Sequence, residues 1–223
     1  MGLLILKEKI GAGHLRECWR HPEHPARCIK IAKNKPRAHL QNLLESHYAT
    51  HLQQRGVADM CLPRVHGWAM TDRGWGLILD LVVDAQGMPA PTLRQARAMG
   101  TVSDDAAAAL LNDALDWLAC HGVVWIDASQ DNVVLQATEQ GGTRLAFIDG
   151  LGGRHFDLEY RLRCRFRVIE RVTARLKAAK HRARIHSKLL ASAPRRPDAT
   201  DLDDAATGRR DIGAMMPPSL PSR

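Results

Sequence analysis

The chain has no run approaching the ~20 consecutive apolar residues that a membrane-spanning helix requires. Its first apolar run, Leu3-Leu-Ile-Leu6, is four residues long and has no basic segment before it, so it reads as a strand and not as a secretory signal. N-myristoylation asks for Ser or Thr at the position held by Leu6. These absences predict a cytoplasmic protein without a transmembrane segment. Cysteine is scarce: the five residues Cys18, Cys28, Cys61, Cys120 and Cys164 are widely spread and form no Cys-x-x-Cys pair. A zinc ribbon and a thioredoxin-type site are therefore not indicated, and the expectation is reduced, mostly buried thiols. The nearest approach to a metal pattern, His21-Pro-Glu-His24, reads as a Pro-rich surface turn with no second pair of ligands. No internal repeat is present.

What remains is the composition of a globular protein. The 223 residues are 45% apolar and 25% charged, enough to bury a sizeable core, about 70% of the unfolded surface. The formal net charge is +8, and it is unevenly distributed. Between Arg154 and Arg196 there are fourteen Lys or Arg against three acids, Asp157, Glu159 and Glu170. Leu158, Leu162, Phe166, Ile169, Val172 and Leu176 recur there every three or four residues. The pattern predicts a helix with one face packed and the other crowded with Arg. Such a helix, residues 154–188, suits an acidic partner, nucleic acid or an anionic membrane; the plainer reading is a solvated terminal face. Residues 194–223 turn to Pro, Arg, Asp, Ser and Gly and read as a flexible tail.

The first part of the chain, 1–83, is strand-rich. Leu3–Ile10 and Arg27–Ala32 are predicted strands, with a glycine turn between them. A helix follows, with Leu40, Leu43, Leu44, His47 and Leu52 on one side. Arg64–Met70 and Gly76–Val83 form a predicted hairpin about Thr71-Asp-Arg-Gly74. The second part, 84–193, opens with an Ala-rich helix over 104–120, N-capped by Ser103 with Asp residues in its first turn. Short strands are predicted at Val123–Ile126, Val133–Leu135 and Leu145–Ile148.

Four local patterns invite a chemical reading. Gly11-Ala-Gly13 between strands lets backbone N–H groups approach a phosphate, although hairpin turns carry the same residues; no GxxG and no helix follow, so a dinucleotide fold is excluded on context. Lys30 stands in the apolar stretch Cys28-Ile-Lys-Ile31 and needs an anionic partner if buried, or an edge position if not. Glu45, on the following helix, is placed to supply that partner. Asp127 and Asn132 flank a polar loop between two strand-like runs, where a carboxylate can accept a hydroxyl proton and an amide oxygen can ligate Mg²⁺, while hairpin loops favour the same residues. Asp149-Gly150 ends the next strand, a place for a metal ligand or for an ordinary turn.

The order of these patterns, from glycine loop through strand Lys, helix Glu and Asp-x4-Asn to Asp-Gly, resembles the protein-kinase-like superfamily over Leu3 to Gly153. Within it the chain resembles the small bacterial YrbL family, named for a PhoP-regulated protein. The shared stretches are Gly11-Ala-Gly-His-Leu-Arg-Glu-Cys-Trp-Arg-His-Pro22, Arg27-Cys-Ile-Lys-Ile31, Pro63-Arg-Val-His-Gly67, the Asp84–Pro89 turn with Gly87, and the Arg-rich ending. The resemblance implies an α+β, two-lobed kinase-like fold, with a small β-rich N-lobe (1–83) and a minimal, truncated helical C-lobe (84–193). It implies ATP and Mg²⁺ as cofactors. Gly11 and Gly13 would cover the phosphates, Lys30 paired with Glu45 would contact them, and the hinge Asp80-Leu81-Val82 would hold adenine. Asp127 would be the catalytic acid, and Asn132 and Asp149 the Mg²⁺ ligands.

The chain also departs from the kinase pattern. Trp125-Ile126 stands where kinases keep His-Arg before the catalytic Asp, and Ser129 where they keep a Lys two residues after it. A missing preorganised charge of this kind is worth roughly 3–4 kcal/mol of transition-state stabilisation. No Ala-Pro-Glu segment follows Asp149, and one long helix replaces the usual peptide-binding subdomain. Three readings stand: a small phosphotransferase with an unknown hydroxyl acceptor, a nucleotide-binding pseudokinase, and a basic binding protein for nucleic acid or an acidic partner that keeps only the fold.

Overall fold

The structure is a computed structural model that describes residues 2–57, 61–84, 86–138 and 141–191, with side chains described as far as Arg184 along the last helix. The chain divides into two units, 1–191 and 192–223. The second, with the tail expected at 194–223, lies outside the described residues.

The first region is an antiparallel sheet. Its strands are β1 (Lys9–Ala12), β2 (Arg16–Arg20), β3 (Arg27–Ala32), β4 (Val65–Thr71) and β5 (Gly74–Asp80), in the order β1-β2-β3-β5-β4. The apolar strand Cys28-Ile-Lys-Ile31 is interior because β2 and β5 cover both its edges. Ile29 and Leu77 are fully buried, and each such side chain contributes about 1.5–3 kcal/mol by leaving water. Gly76 makes room for Ile29 and Ile31: a Cβ there would stand 2.3 Å from Ile29 Cγ2 and 2.6 Å from Ile31 Cδ1. The predicted hairpin forms about Asp72-Arg73, with Thr71 opposite Gly74.

Three expectations are corrected here. The run Leu3–Ile10 is not one strand. Leu4 makes an isolated bridge to Thr71, Leu6 N–H donates to Asp72 Oδ1, and β1 proper starts at Lys9 with a bulge before Gly11. The helix α1 (Ala38–Gln54) buries Ala38, Asn42, Leu44, Tyr48 and Leu52, whereas Leu43 faces solvent and His47, largely exposed, bonds Tyr160 Oη at 2.7 Å. Asn42 turns inward because its amide donates to the Lys30 carbonyl of β3 and accepts from Arg16. Of the three later runs, Val123–Ile126 forms no regular strand; it meets the chain after Asp149 through the isolated bridge Trp125–Leu151 and backbone hydrogen bonds between Val124 and Gly152 and between Ile126 and Gly150.

The second region holds α2 (Leu93–Ala98), α3 (Asp104–His121), the two-stranded ladder β6 (Val133–Ala137) and β7 (Thr143–Phe147), α4 (Leu158–Arg165) and α5 (Arg167–Ala191). The short α2 escaped the sequence reading, although Thr92 and Gln95 close a capping box at its start. Ser103 caps α3 as expected, its hydroxyl accepting from Ala106 N–H at 3.2 Å. Leu111, Leu115, Leu118, Trp125, Phe147 and Tyr160 share one core with Leu44, Tyr48 and Leu52 of α1. That core joins α1 to the second region and takes in Trp125, just before the loop that leads to β6. The arrangement is α+β, with a β-rich first region and helices later, as expected.

The basic segment differs from its expected form. It is two helices broken at Phe166, whose φ of −120° and ψ of 104° end α4. Its apolar residues do not pack inward. Leu158, Leu162, Phe166, Ile169, Val172 and Leu176 are all exposed, while Tyr160, Arg163, Glu170, Ala174, Ala178 and His181 are buried. The reason is local chemistry. Glu170 accepts from Tyr48 Oη at 3.1 Å, His51 Nε2 at 3.0 Å and Arg55 Nη1 at 2.5 Å, and small Ala174 and Ala178 let α5 lie close against the core.

Candidate active site

Lys30 lies on the face of β3 turned toward α1 and is only 8% exposed. Its Nζ donates to Glu45 Oε1 at 2.6 Å and to the Ile148 carbonyl at 2.7 Å, so the buried ammonium has the anionic partner its position demands. Ile148 directly precedes Asp149. One side chain therefore ties strand, helix and the end of β7 together.

Asp149 receives the Gly150 N–H on Oδ1 at 2.7 Å and Arg16 Nη2 on Oδ2 at 2.6 Å. Burial pushes its carboxyl pKa upward, but the charges of Lys30 and Arg16 and these hydrogen bonds outweigh that and bring it from 3.8 down to about 2. The same guanidinium bonds Glu45 and, at 3.1 Å, Asn42 Oδ1. Burial alone would lower the pKa of Arg16; the two carboxylates reverse this and raise it.

Arg16 was not among the sequence candidates. The signal for it was register: Cys18 sits opposite Lys30 and Arg16 opposite Ala32, and residues two apart on a strand share a face. Arg16 therefore points where Lys30 points.

Asp127 and Asn132 come together across their loop. Asn132 Nδ2 donates to the Asp127 carbonyl at 2.8 Å and to its Oδ2 at 3.3 Å, and Asn132 C=O accepts Ile148 N–H at 2.9 Å. The Gly150 carbonyl accepts both Ile126 N–H and Asp127 N–H, at 2.8 and 3.2 Å. Gly150 has a φ of 83°, and a Cβ there would meet Asp127 O at 2.7 Å, so only glycine fits between the two segments. Trp125 is buried, and its carbonyl accepts from His181 Nε2 of α5 at 2.8 Å. Burial lowers the His181 pKa and favours the neutral ring. Arg154, a second residue the sequence did not single out, donates to Asp127 Oδ1 at 3.3 Å. It sits in an irregular glycine-flanked stretch with no periodicity to reveal it.

The glycine and hinge positions are more distant parts of the arrangement. Gly11 lies inside β1 opposite Cys18, and Gly13 turns the chain, its N–H donating to Arg16 C=O at 2.8 Å. Neither has a positive φ, and a Cβ at Gly11 would meet nothing within 4 Å. What these glycines offer is bare backbone. In the hinge, Asp80 N–H donates to Arg64 C=O, Leu81 N–H to Ala26 C=O, and Val82 C=O accepts Ala90 N–H. The Asp80 carboxylate is held by Arg64 N–H at 3.0 Å and His66 Nε2 at 2.5 Å.

The site thus joins a Lys–Glu pair, Lys30 from β3 and Glu45 from α1, to two acids and an amide from loops, in an α+β frame. Residues 3–188 match the family model described as PhoP regulatory network protein YrbL, and the chain belongs to that family. Two curated relatives, the uncharacterized YrbL proteins of Escherichia coli (strain K12) and Shigella flexneri, are each 27% identical over 146 residues, spanning 64% of this chain and 70% of theirs. Among solved structures, the crystal structure of the PF14_0431 kinase domain is similar with a TM-score of 0.48 and 13% identity, over 68% of this chain; the chain spans about half, 52%, of its length.

Proposed function

We propose that this protein binds ATP with Mg²⁺ between the sheet and the Asp127–Asn132 loop and transfers the γ-phosphoryl group to a hydroxyl acceptor. The observation that carries this reading is the Lys30 ammonium, buried and held between Glu45 and the Ile148 carbonyl beside an ionised Asp149. A buried lysine fixed by a carboxylate is a preset point charge for phosphate oxygens.

The residues fit Mg²⁺. Among the described residues no three or more His, Cys, Asp or Glu cluster as a dedicated cage. Mg²⁺ is commonly held by one or two protein oxygens, with nucleotide phosphates and water completing its shell. The Asp149 carboxylate is the anionic oxygen donor, and Asn132, whose amide nitrogen is spent on Asp127, keeps its oxygen for a cation. The ion would supply charge neutralisation on the phosphates.

In the transfer, the acceptor oxygen forms a bond to the γ-phosphorus and the bond from that phosphorus to the ADP oxygen breaks. The acceptor proton passes to the Asp127 carboxylate, which Asn132 and Arg154 orient. Arg154 takes up the role of the missing loop lysine, standing beside Asp127 as the cation that steadies the transferring group. Adenine would use hinge peptide groups other than the Asp80 and Leu81 N–H groups and the Val82 carbonyl, which are engaged within the chain.

A pseudokinase is the second reading, favoured by Arg16 on Asp149 Oδ2, where it competes with a cation. Asp127→Asn separates the two. The first reading expects ATP affinity close to wild type with γ-phosphate transfer or ATP hydrolysis reduced by at least ~10³-fold. Equal turnover by wild type and Asp127→Asn removes Asp127 from the mechanism.

A further inference from the structure

The outward face of α5 has a composition that a merely solvated helix does not need. With about 100° between successive residues, Val168, Ile169, Val172, Leu176, Ala179 and Ala183 fall on one side. Glu170, Ala174, Ala178 and His181, all buried, fall on the other. The large apolar side chains are exposed, from 40% at Ile169 to 74% at Val168. Arg171, Arg175 and Arg182, the last paired with Asp116 of α3, line one flank of this strip, and Lys177, Lys180 and Arg184 the other. The single acid of α5, Glu170, is consumed inside, and the sequence carries no Asp or Glu between Glu170 and Asp198.

We propose that this face of α5 is a docking surface for an anionic lipid bilayer, with the helix lying in the headgroup plane. An apolar strip bordered on both sides by cations matches the two contributions to interfacial binding, apolar burial and attraction to anionic headgroups. Side chains this exposed form a ridge and not a groove, and a ridge sinks into a bilayer interface. Arg and Lys at the borders can extend upward to phosphates while their stems follow the aliphatic strip. The association is peripheral: no described helix is long and apolar enough to cross a membrane. Two other occupants fit less well. A second copy of the chain would bring one Arg-bordered strip against another. Nucleic acid would use the cations but leave the strip without a partner.

The test is co-sedimentation of the full chain with vesicles of phosphatidylcholine alone and with about 30% phosphatidylglycerol, a strongly anionic surface. Wild type binds the anionic vesicles and not the neutral ones, and binding weakens with salt. Val172→Ser/Leu176→Ser, both outward and outside the core, binds at least about tenfold more weakly with an unchanged melting midpoint. Arg175→Gln/Lys180→Gln loses the preference for anionic over neutral vesicles. Three results would overturn the proposal: no binding to anionic vesicles at low salt; binding of the Ser variant equal to wild type, which would leave the strip without a role; or a wild-type dimer in solution that the Ser variant converts to monomer, which would make the strip a self-interface.

Discussion

Asp149 stays ionised because two cations meet it, Lys30 through space and Arg16 through a hydrogen bond. Its pKa in the folded protein, about 2, lies below its ordinary 3.8, so the native state binds this proton less readily than the unfolded chain. The stabilisation is full above pH 3.8 and is lost as pH falls toward 2. Urea unfolding of wild type should therefore weaken more across that window than unfolding of Asp149→Asn; parallel profiles would show that the two cations contribute nothing through Asp149. Arg154 is argued on different grounds. Its pair with Asp127 is largely exposed, so Arg154→Ala should leave the melting midpoint within about 3 °C of wild type. Its role in transfer predicts a loss of roughly 10²-fold in turnover, partly restored by Arg154→Lys. Unchanged turnover would leave the missing loop lysine without a substitute. At this scale the sequence was informative where residue type and neighbourhood agree: a Lys in an apolar strand demands an acid, and Glu45 meets it. Arg16 and Arg154 escaped because an arginine beside a turn has the same local signature whether it faces solvent or a carboxylate.

At the scale of elements, two short-range devices hold the site together. Gly150 lets the chain after β7 lie against the Asp127 backbone at a φ of 83°. Gly150→Ala should cost about 1–3 kcal/mol in stability and, by displacing Asp127, lower turnover by about 10²-fold. A variant with wild-type turnover would show that the loop tolerates the shift. Glu170 is the second device, fully buried and bound to Tyr48, His51 and Arg55 of α1 and the turn after it. Glu170→Gln leaves the Arg55 guanidinium without its carboxylate, at a cost of about 3–5 kcal/mol and a fall in melting midpoint of about 10 °C. A midpoint within a degree or two of wild type would mean that α5 is held by packing alone. Elements with a strong local signal were legible: α3 with its Ser103 cap, the hairpin about Asp72-Arg73, and β3. The face of α5 was not. Periodicity locates an apolar stripe but not its direction, and here a buried ion cluster and two alanines, more than the leucines, decide which side meets the core.

The whole molecule is an asymmetric assembly of charge. Glu45 and Asp149 gather about Lys30 and Arg16, while along α4 and α5 the basic residues far outnumber the two acids, Glu159 and Glu170. The fold class and the order of elements were readable because each element carries its own pattern and the elements follow one another as the sequence orders them. What the order of residues does not contain is the set of long-range contacts, such as Arg16 to Asp149 or Glu170 to Arg55, that depend on the packed core shared by α1 and α3. The proposed Mg-ATP site rests on this core. It is tested most directly by thermal melting with ATP, with and without Mg²⁺, on wild type and Asp149→Asn. Ligand at ~100 times its dissociation constant adds about 2.7 kcal/mol. For a chain of this size the midpoint then rises by roughly 5–11 °C. A Mg-ATP site predicts a rise in wild type that requires Mg²⁺ and is lost in Asp149→Asn. No rise at millimolar ATP, or an equal rise in both proteins, would contradict it.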